Sequence, residues 1–594
     1  MCARFFTGAK HTEAAPRHYR PREREHMLAN DTEKLYPSAK TLVRDKVASR
    51  LHAKDETLYD FDEAAAECAK NFTGWATLAS KPPYPYKEIQ AFADGIIAEG
   101  FKTVLLIGQG GSTQAPMTIT KYNKVDRNAL DFKVLDSVSP VRVRSILAGL
   151  DLERTLVLVS SKSGGTIEMR SVLDAVLDHF EMYMKTERIP SHLVAITDPG
   201  SDLERRANEE GWRACFPGEP TVGGRFSALS VFGLVPAALV GIDLGGFLGH
   251  AKDAERLCSE DSIDNPAITL ASFMYDNYLA GRDKFCFLTP KRGRVLGLWI
   301  EQLVAESLGK EGVGILPNIE IDTLLLTKDP KDRSVITYQT KTDLWDERKN
   351  FDMSLAYLDP AIPRLSFRID SVLDLAEHFV LWEYATAMCG YLMKRCPFDQ
   401  PDVASTKAAA LKFLAEGRPE PDFTENFIGP VNMGQAEVTI APCIKSDTLM
   451  GALHNLFASV QPGDYFALDA FVPFDGEGRR EALEVIRHGV ADKLGVVSCL
   501  EIGPRYLHST GQLYKGGFEG GSYLIVSSDE QNDLQVPDRG FSLGDVQMCE
   551  AHGDFIALKS RNRNVMHVHL KGNSPEELKC LADRVCAAID RALM

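Results

Sequence analysis

Residues 221–234 read TVGGRFSALSVFGL, and the doubled glycine at Gly223-Gly224 followed by Arg225 has the make-up of a site-forming turn. Two glycines let the backbone turn tightly and let a ligand approach closely, and the next side chain is a permanently charged guanidinium. The same pattern also serves as a tight turn ahead of a buried helix. In EQLVAESLGK (301–310), Glu306 falls on the helical stripe of Val295, Trp299 and Leu303. A partly desolvated carboxylate there suits general-base work, and an i, i+4 pair with Lys310 is the competing use. In FDQPDVASTK (398–407), Gln400 and Lys407 are seven residues apart, and Pro401 marks the expected start of a helix that would present both on one face.

Two further stretches suit an anion. Gly108 to Thr113 (GQGGST) and Ser160 to Thr166 (SSKSGGT) each follow an apolar strand and precede a helix, so their N–H groups lie at a positive helix end. Neither is a P-loop or a GxGxxG turn. The second adds hydroxyls and the Lys162 ammonium, a set that suits the three acceptor oxygens of a phosphate monoester, although helix capping uses the same residues. Near the C-terminus, GPRYLHSTGQLYKGG (503–517) packs Arg505, His508, Ser509, Gln512 and Lys515 between glycines, which reads as a binding loop.

The elements that must position these residues follow a rhythm. TVLLIGQGGSTQAP, RTLVLVSSKSGGTIEMRSVLDAVL and HLVAITDPGSDLERRA each run strand, Gly/Ser/Thr loop, helix, the signature of a doubly wound parallel sheet. The rhythm restarts at KFCFLTP and closes with a helix from Val372 to Lys394. The expected division is an N-terminal arm and lead-in (1–56), a first α/β domain with the phosphate loops (57–244), a second (245–414), a Pro/Gly/acid-rich linker (415–430) and a C-terminal α/β or α+β extension (431–594). The arm carries a basic cluster, HYRPRERE, and residues 1 to about 30 show no periodicity. The first helical spacing is expected from Thr57, through Leu58, Phe61, Ala65 and Cys68.

At 594 residues the chain is too long for one core. Its net charge of −16 disfavours nucleic acid or an anionic membrane as the main partner. Its 12 cysteines show no CxxC pair or Cys/His cluster at metal-ligand spacing, so neither a zinc site nor a disulfide framework is expected. The longest apolar run, 228–242, contains Pro236 and is too short to span a bilayer, which predicts a buried helix and a cytoplasmic protein.

Taken together, these segments resemble the phosphoglucose isomerases, a family of paired sugar-isomerase (SIS) domains. VGGRFSALSVFGL is similar to the family's GGR-aromatic-S signature, QLVAESLGK to its glutamate helix QLxMESxGK, and CPFDQPDVASTK to NPFDQxxVExxK, while GQGGST and SSKSGGT occupy the places of its two phosphate loops. The resemblance covers roughly residues 60–415. The remainder, including PRYLHSTGQLYKGG, resembles the C-terminal extension of the isomerase half of bacterial transaldolase–phosphoglucose isomerase fusions, without a transaldolase barrel ahead of it. The resemblance implies an aldose–ketose isomerase acting on glucose 6-phosphate and fructose 6-phosphate. Glu306 would move the proton and Arg225 would stabilise the enediolate. Lys407 and Gln400 would sit by the ring oxygen and hydroxyls, and Ser112, Ser161, Lys162, Ser163 and Thr166 would hold the phosphate. Gly111, Gly224, Gln512 and Lys515 complete the expected substrate contacts. No metal or other cofactor is implied, and a homodimer is. The alternatives are a preference for mannose 6-phosphate and a non-catalytic sugar-phosphate sensor. One departure stands out: the family's ring-opening histidine, in a G-T-N-x-Q-H segment, has no counterpart. His378 is alone in that interval and reads as peripheral, so His508 is expected to fold back from the extension in its place.

Overall fold

Strand runs such as TVLLIG and TLVLVS lack polar alternation, which requires burial on both faces, and the chain meets that requirement with parallel sheets covered on each side. The structure is a computed structural model that describes residues 36–123, 129–319, 326, 331–340, 345–428, 433–474 and 478–594. The first sheet holds β1 (Thr103–Gly108), β2 (Asp131–Leu135), β3 (Thr155–Ser160), β4 (Leu193–Thr197) and β5 (Ala214–Pro217) in the order β2-β1-β3-β4-β5, all parallel. The period-2 geometry sends Val104 and Leu106 of β1 into one core and Leu105 and Ile107 into another. The second sheet is β6 (Lys284–Leu288), β7 (Leu316–Asn318), β8 (Arg333–Thr340) and β9 (Arg364–Ile369), parallel in the order β7-β6-β8-β9.

One hydrophobic core runs unbroken from Val104 and Leu106 through the helices Val231–Leu239, Leu244–Cys258, Arg294–Leu308 and Val372–Met393 to Phe285, Phe287 and Ile336 of the second sheet. The two α/β halves are therefore fused by packing. The run read as a buried helix is Val231–Leu239, with Pro236 inside it.

The third sheet follows as β10 (Phe423–Ile428), β11 (Met433–Ile440), β12 (Tyr465–Phe471), β13 (Val497–Ile502), β14 (Gly521–Ser528) and β15 (Asn564–Leu570), in the order β10-β11-β15-β14-β12-β13. β12 to β15 are parallel, and the β10–β11 hairpin adds an antiparallel edge. β12 lies between β13 and β14, so the winding changes direction there, and ligand-facing loops of such sheets leave the strand ends at that switch point. The loop after β13 carries His508.

The basic arm lies outside the described residues, and the structure sets other boundaries differently from those expected. The lead-in is helical at Ser38–Arg44 and Val47–His52, and buries Ala39, Leu42, Val47, Ala48 and Leu51 in the main core. The helix expected from Thr57 is Glu63–Asn71, because Asp62 caps it by accepting a hydrogen bond from Ala65 N. The expected linker carries β10, since FTENFI pairs with the following strand. The C-terminal unit is packed into the rest: Val536, Leu543 and Val546 join the second core of the first sheet, and Ala305 and Leu316 join the core under β12.

His378 is 5% exposed on the helix Val372–Met393, with its Nδ1 2.8 Å from the Tyr338 hydroxyl, which accepts from Trp382 Nε1 at 2.9 Å. It is packed into the main core with Tyr338 and Trp382. Burial pushes its pKa down to about 4 from an ordinary 6.5. The unfolded chain therefore binds the extra proton first, and the contribution of the neutral imidazole is lost as pH falls from 6.5 towards 4. Between pH 7 and pH 5 this one residue should cost about 2 kcal/mol of stability. Urea unfolding at the two pH values is expected to show a correspondingly smaller drop for His378→Gln than for wild type, and equal drops would refute it.

Candidate active site

The site is assembled at the carboxyl ends of β1 and β3. Gly110 (φ +54°) turns the chain from β1 into the helix Gly111–Tyr122. A Cβ on Gly111 would lie 2.0 Å from the Gly224 carbonyl oxygen, so the first glycine loop and the Gly-Gly-Arg turn touch through backbone, which only glycine permits. After β3, Gly164 (φ +68°) seats the second loop against Leu203, where a Cβ would meet Leu203 N at 2.6 Å. Thr166 starts the helix Ile167–Tyr183 without a side-chain cap, which leaves first-turn N–H groups for a ligand.

Both helix starts border a cavity of about 440 Å³. Gly111, Ser112, Ser161, Lys162, Ser163, Thr166, Gly224 and His508 all line it. Of its other walls, Gln109 Oε1, Ser160 Oγ and Asp198 Oδ1 are buried without a hydrogen-bond partner, which leaves polar capacity for a ligand. Lys162 donates to Asp198 Oδ2 and, at 3.1 Å, to the Pro220 carbonyl. Burial raises the Asp198 pKa, against the pull of Lys162.

Arg225 is 2% exposed, and every arm of its guanidinium is engaged. Nε donates to Ser307 Oγ (2.8 Å), Nη1 to Gln400 Oε1 (3.0 Å), and Nη2 to the Pro397 and Asp399 carbonyls (2.6 and 2.9 Å). Glu306 Oε1 lies 3.4 Å from Nη1, and its Oε2 accepts from Gln302 Nε2 at 3.2 Å. Gln302 in turn abuts Gly110, where a Cβ would come within 3.1 Å of Nε2. The carboxylate and guanidinium therefore meet beside the cavity. Lys310, read from spacing as a possible surface partner of Glu306, is instead 1% exposed. It donates to the Cys396 carbonyl (2.7 Å), the Asp399 carbonyl (2.8 Å) and the Asp399 carboxylate. Burial, and the nearby Arg225 charge, lower its pKa.

His508 Nε2 lies 2.8 Å from Glu168 Oε1. Glu168 is buried, which raises its pKa, yet the hydrogen bond and charge of His508 carry it below the ordinary carboxylate value. Glu550, from the helix Leu543–Ser560, is pushed up by burial and by the nearby Glu168 charge, which favours its protonated form.

Gln512, Lys515, Lys407 and Gln400 do not line the cavity, and Arg225 and Glu306 stand behind its wall at Gly224 without lining it themselves. Gln512 is spent as a latch, with its amide accepting from Asp402 N (2.9 Å) and donating to Gly309 O (3.0 Å) and Asp402 Oδ2 (2.7 Å). Lys515 is buried against Asp554. Lys407 is exposed on the helix Ala404–Glu416, and Gln400 precedes that helix, so the two share no helical face. The prolyl turn delays the helix by a few residues. Sequence reasoning also passed over Glu168, Asp198 and Ser307. The one signal for Glu168 was an acidic residue in the first turn after SSKSGGT, which ordinarily reads as a helix-dipole partner.

The family model for phosphoglucose isomerase matches residues 88–317. A glucose-6-phosphate isomerase of Desulfitobacterium hafniense (strain Y51) is 36% identical over 239 residues, covering 38% of this chain and 44% of that protein. The one from Thermosynechococcus vestitus is 30% identical over 376 residues, 56% of this chain and 70% of that protein. The chain thus spans less than half the length of the first of these relatives and over two thirds of the second. Among solved structures, a hypothetical protein from Thermus thermophilus aligns with a TM-score of 0.55 at 24% identity, over 65% of this chain and 98% of that one. A glucose-6-phosphate isomerase from Chlamydia trachomatis aligns at 0.50 and 18%, over 65% and 86%. These likenesses support the paired α/β fold. With two thirds of a relative matched at 30% identity, the chain belongs to the phosphoglucose isomerase family.

Proposed function

We propose that the chain interconverts glucose 6-phosphate and fructose 6-phosphate through a cis-enediolate. The observation that carries the reading is the 3.4 Å contact of Glu306 with the buried Arg225 guanidinium, next to a cavity walled by hydroxyls and two helix starts. In this reading Ser112, Ser161, Ser163 and Thr166 hold the phosphate with the helix N–H groups, and Lys162 supplies charge. Glu306 takes the proton from C2 of the open aldose and returns it to C1. Arg225 supplies the fixed positive field for the enediolate oxygens, of which Nη1, with the longest contact, is the arm nearest the reacting carboxylate. Gln400 orients Nη1, and Gly111 and Gly224 give the sugar its close approach. Lys407, exposed on the helix Ala404–Glu416 and not lining the cavity, is left without a contact to the sugar. A phosphate-binding sensor would need the loops alone, and the Glu306–Arg225 pair is what favours catalysis. The same reading makes this a cytoplasmic enzyme, and pairing as a homodimer is implied by the family resemblance alone.

Ring opening falls to His508. Glu168 fixes its imidazole, and the Glu168–Glu550 pair backs it as the proton moves to the ring oxygen.

Two outcomes check the assignment. Glu306→Gln should lose about a thousandfold or more in kcat on fructose 6-phosphate while the sugar phosphate still raises its melting temperature. Turnover within tenfold of wild type would overturn the role. His508→Asn should lose about a hundredfold on cyclic substrate and much less on substrate opened beforehand. Equal losses on the two substrates, or none on either, would remove the histidine from the mechanism.

A further inference from the structure

The loop Cys396–Gln400 holds both buried cations of the site: its carbonyls at Cys396, Pro397 and Asp399 accept from Lys310 and Arg225, and Gln400 accepts from Arg225. At the start of this loop, Cys396 faces Cys68 of the helix Glu63–Asn71. The two sulfurs and an Asp399 carboxylate oxygen lie within 4.8 Å of one another. No role falls to either thiol in the isomerisation.

The surroundings favour a reactive dithiol over a metal site. Asp399 is already engaged by the Lys310 ammonium, which weakens it as a third ligand and places a positive charge where a cation would sit. That same ammonium favours a thiolate. The two neighbouring thiols differ: the Cys68 thiol beside it and the Phe398 backbone lower the Cys396 pKa, against burial, while the Cys68 pKa is raised by its neighbour and by burial. One sulfur is thus set up to attack and the other to resolve. Cys68 and Cys396 are 9% and 4% exposed, which admits a small oxidant and excludes a bulky one. The Asp399 side chain beside them is 37% exposed and marks the way in.

We propose that Cys68 and Cys396 form a modification site for hydrogen peroxide, whose product, a disulfide, draws the loop away from Arg225 and slows isomerisation. The effect on turnover rests on the function proposed above; the thiol chemistry does not. The Cys396 thiolate attacks the peroxide oxygen, giving a sulfenic acid and hydroxide. The Cys68 sulfur then attacks the sulfenic sulfur; its proton and the departing hydroxide leave as water. Two thiols are oxidised, and one peroxide is reduced to two waters. Bringing the sulfurs from within 4.8 Å to a bond of about 2.05 Å moves the loop start relative to the Glu63–Asn71 helix, and the cation-holding carbonyls follow directly along the chain.

The test uses the full chain treated with hydrogen peroxide and then dithiothreitol, followed by peptide mapping and assays on fructose 6-phosphate. The expected results are a Cys68–Cys396 cross-linked peptide, a loss of about tenfold or more in kcat/KM, and recovery on reduction. Cys68→Ser should keep the basal rate and resist peroxide, and Cys68→Ala provides the same comparison if the serine fails to fold. Absence of the cross-link, a cross-link that leaves the rate unchanged, or equal inactivation of the Cys68 variants would overturn the proposal. Because the cross-link is read without turnover, its absence in an active isomerase counts against the thiol site alone, and its presence in a chain with no isomerase activity counts against the assigned function.

Discussion

A guanidinium with 2% exposure is the constraint around which the rest is arranged. Removing such a charge from water costs several kcal/mol, and the fold offsets this with one carboxylate and four directed hydrogen bonds. The partners come from different segments: Ser307 and Glu306 from the helix Arg294–Leu308, the carbonyls and Gln400 from the loop before Ala404, and Arg225 itself from the turn after β5. One charge therefore fixes the mutual placement of three elements. Lys310, just past the end of that helix, repeats the arrangement, and the Asp399 carbonyl accepts from both cations.

The loop that satisfies these cations is in turn held from the C-terminal side. Asp402 is gripped by Gln512 and by Arg561, and Gly516 lies so close to the Asp402 carboxylate that a Cβ there would come within 2.0 Å of it. The third sheet is accordingly part of the site's frame as well as the source of His508. The loop after β13 crosses to Glu168, on the helix that follows β3. Gln512, expected to touch a sugar, is used in this seam, and Lys515 is paired with Asp554 inside the C-terminal unit, because a buried polar group must be paired.

Much of the architecture was legible because it rests on local periodicity. Continuous apolar runs followed by Gly/Ser/Thr loops identified β1, β3 and β4, and the strand TVLLIG falls where the pattern put it. The hydroxyl-bearing loops were readable for the same reason: a strand, a glycine turn and a helix start bring N–H and O–H groups to one point by local geometry alone. Boundaries decided by tertiary pairing were not. FTENFI is polar enough to pass for a linker and becomes a strand only when β11 supplies hydrogen bonds. The lead-in helices are short, and gain their stability from the core they cover.

By itself the sequence determined the residue types of the chemistry, an arginine behind two glycines, a glutamate on an apolar helix and a histidine in a glycine-punctuated loop, together with the sheets that carry them. Whether Glu306 would face Arg225 or pair with Lys310 was left open by spacing, since an i, i+4 neighbour and a partner 81 positions away along the chain leave the same local pattern. Tertiary structure decided it, by burying Lys310 against carbonyls from a loop 86 residues downstream and so leaving Glu306 to the guanidinium. The pairing of Glu168 with His508, 340 residues apart, was likewise invisible, because long-range electrostatic partners are chosen by which surfaces the packing of apolar faces brings together.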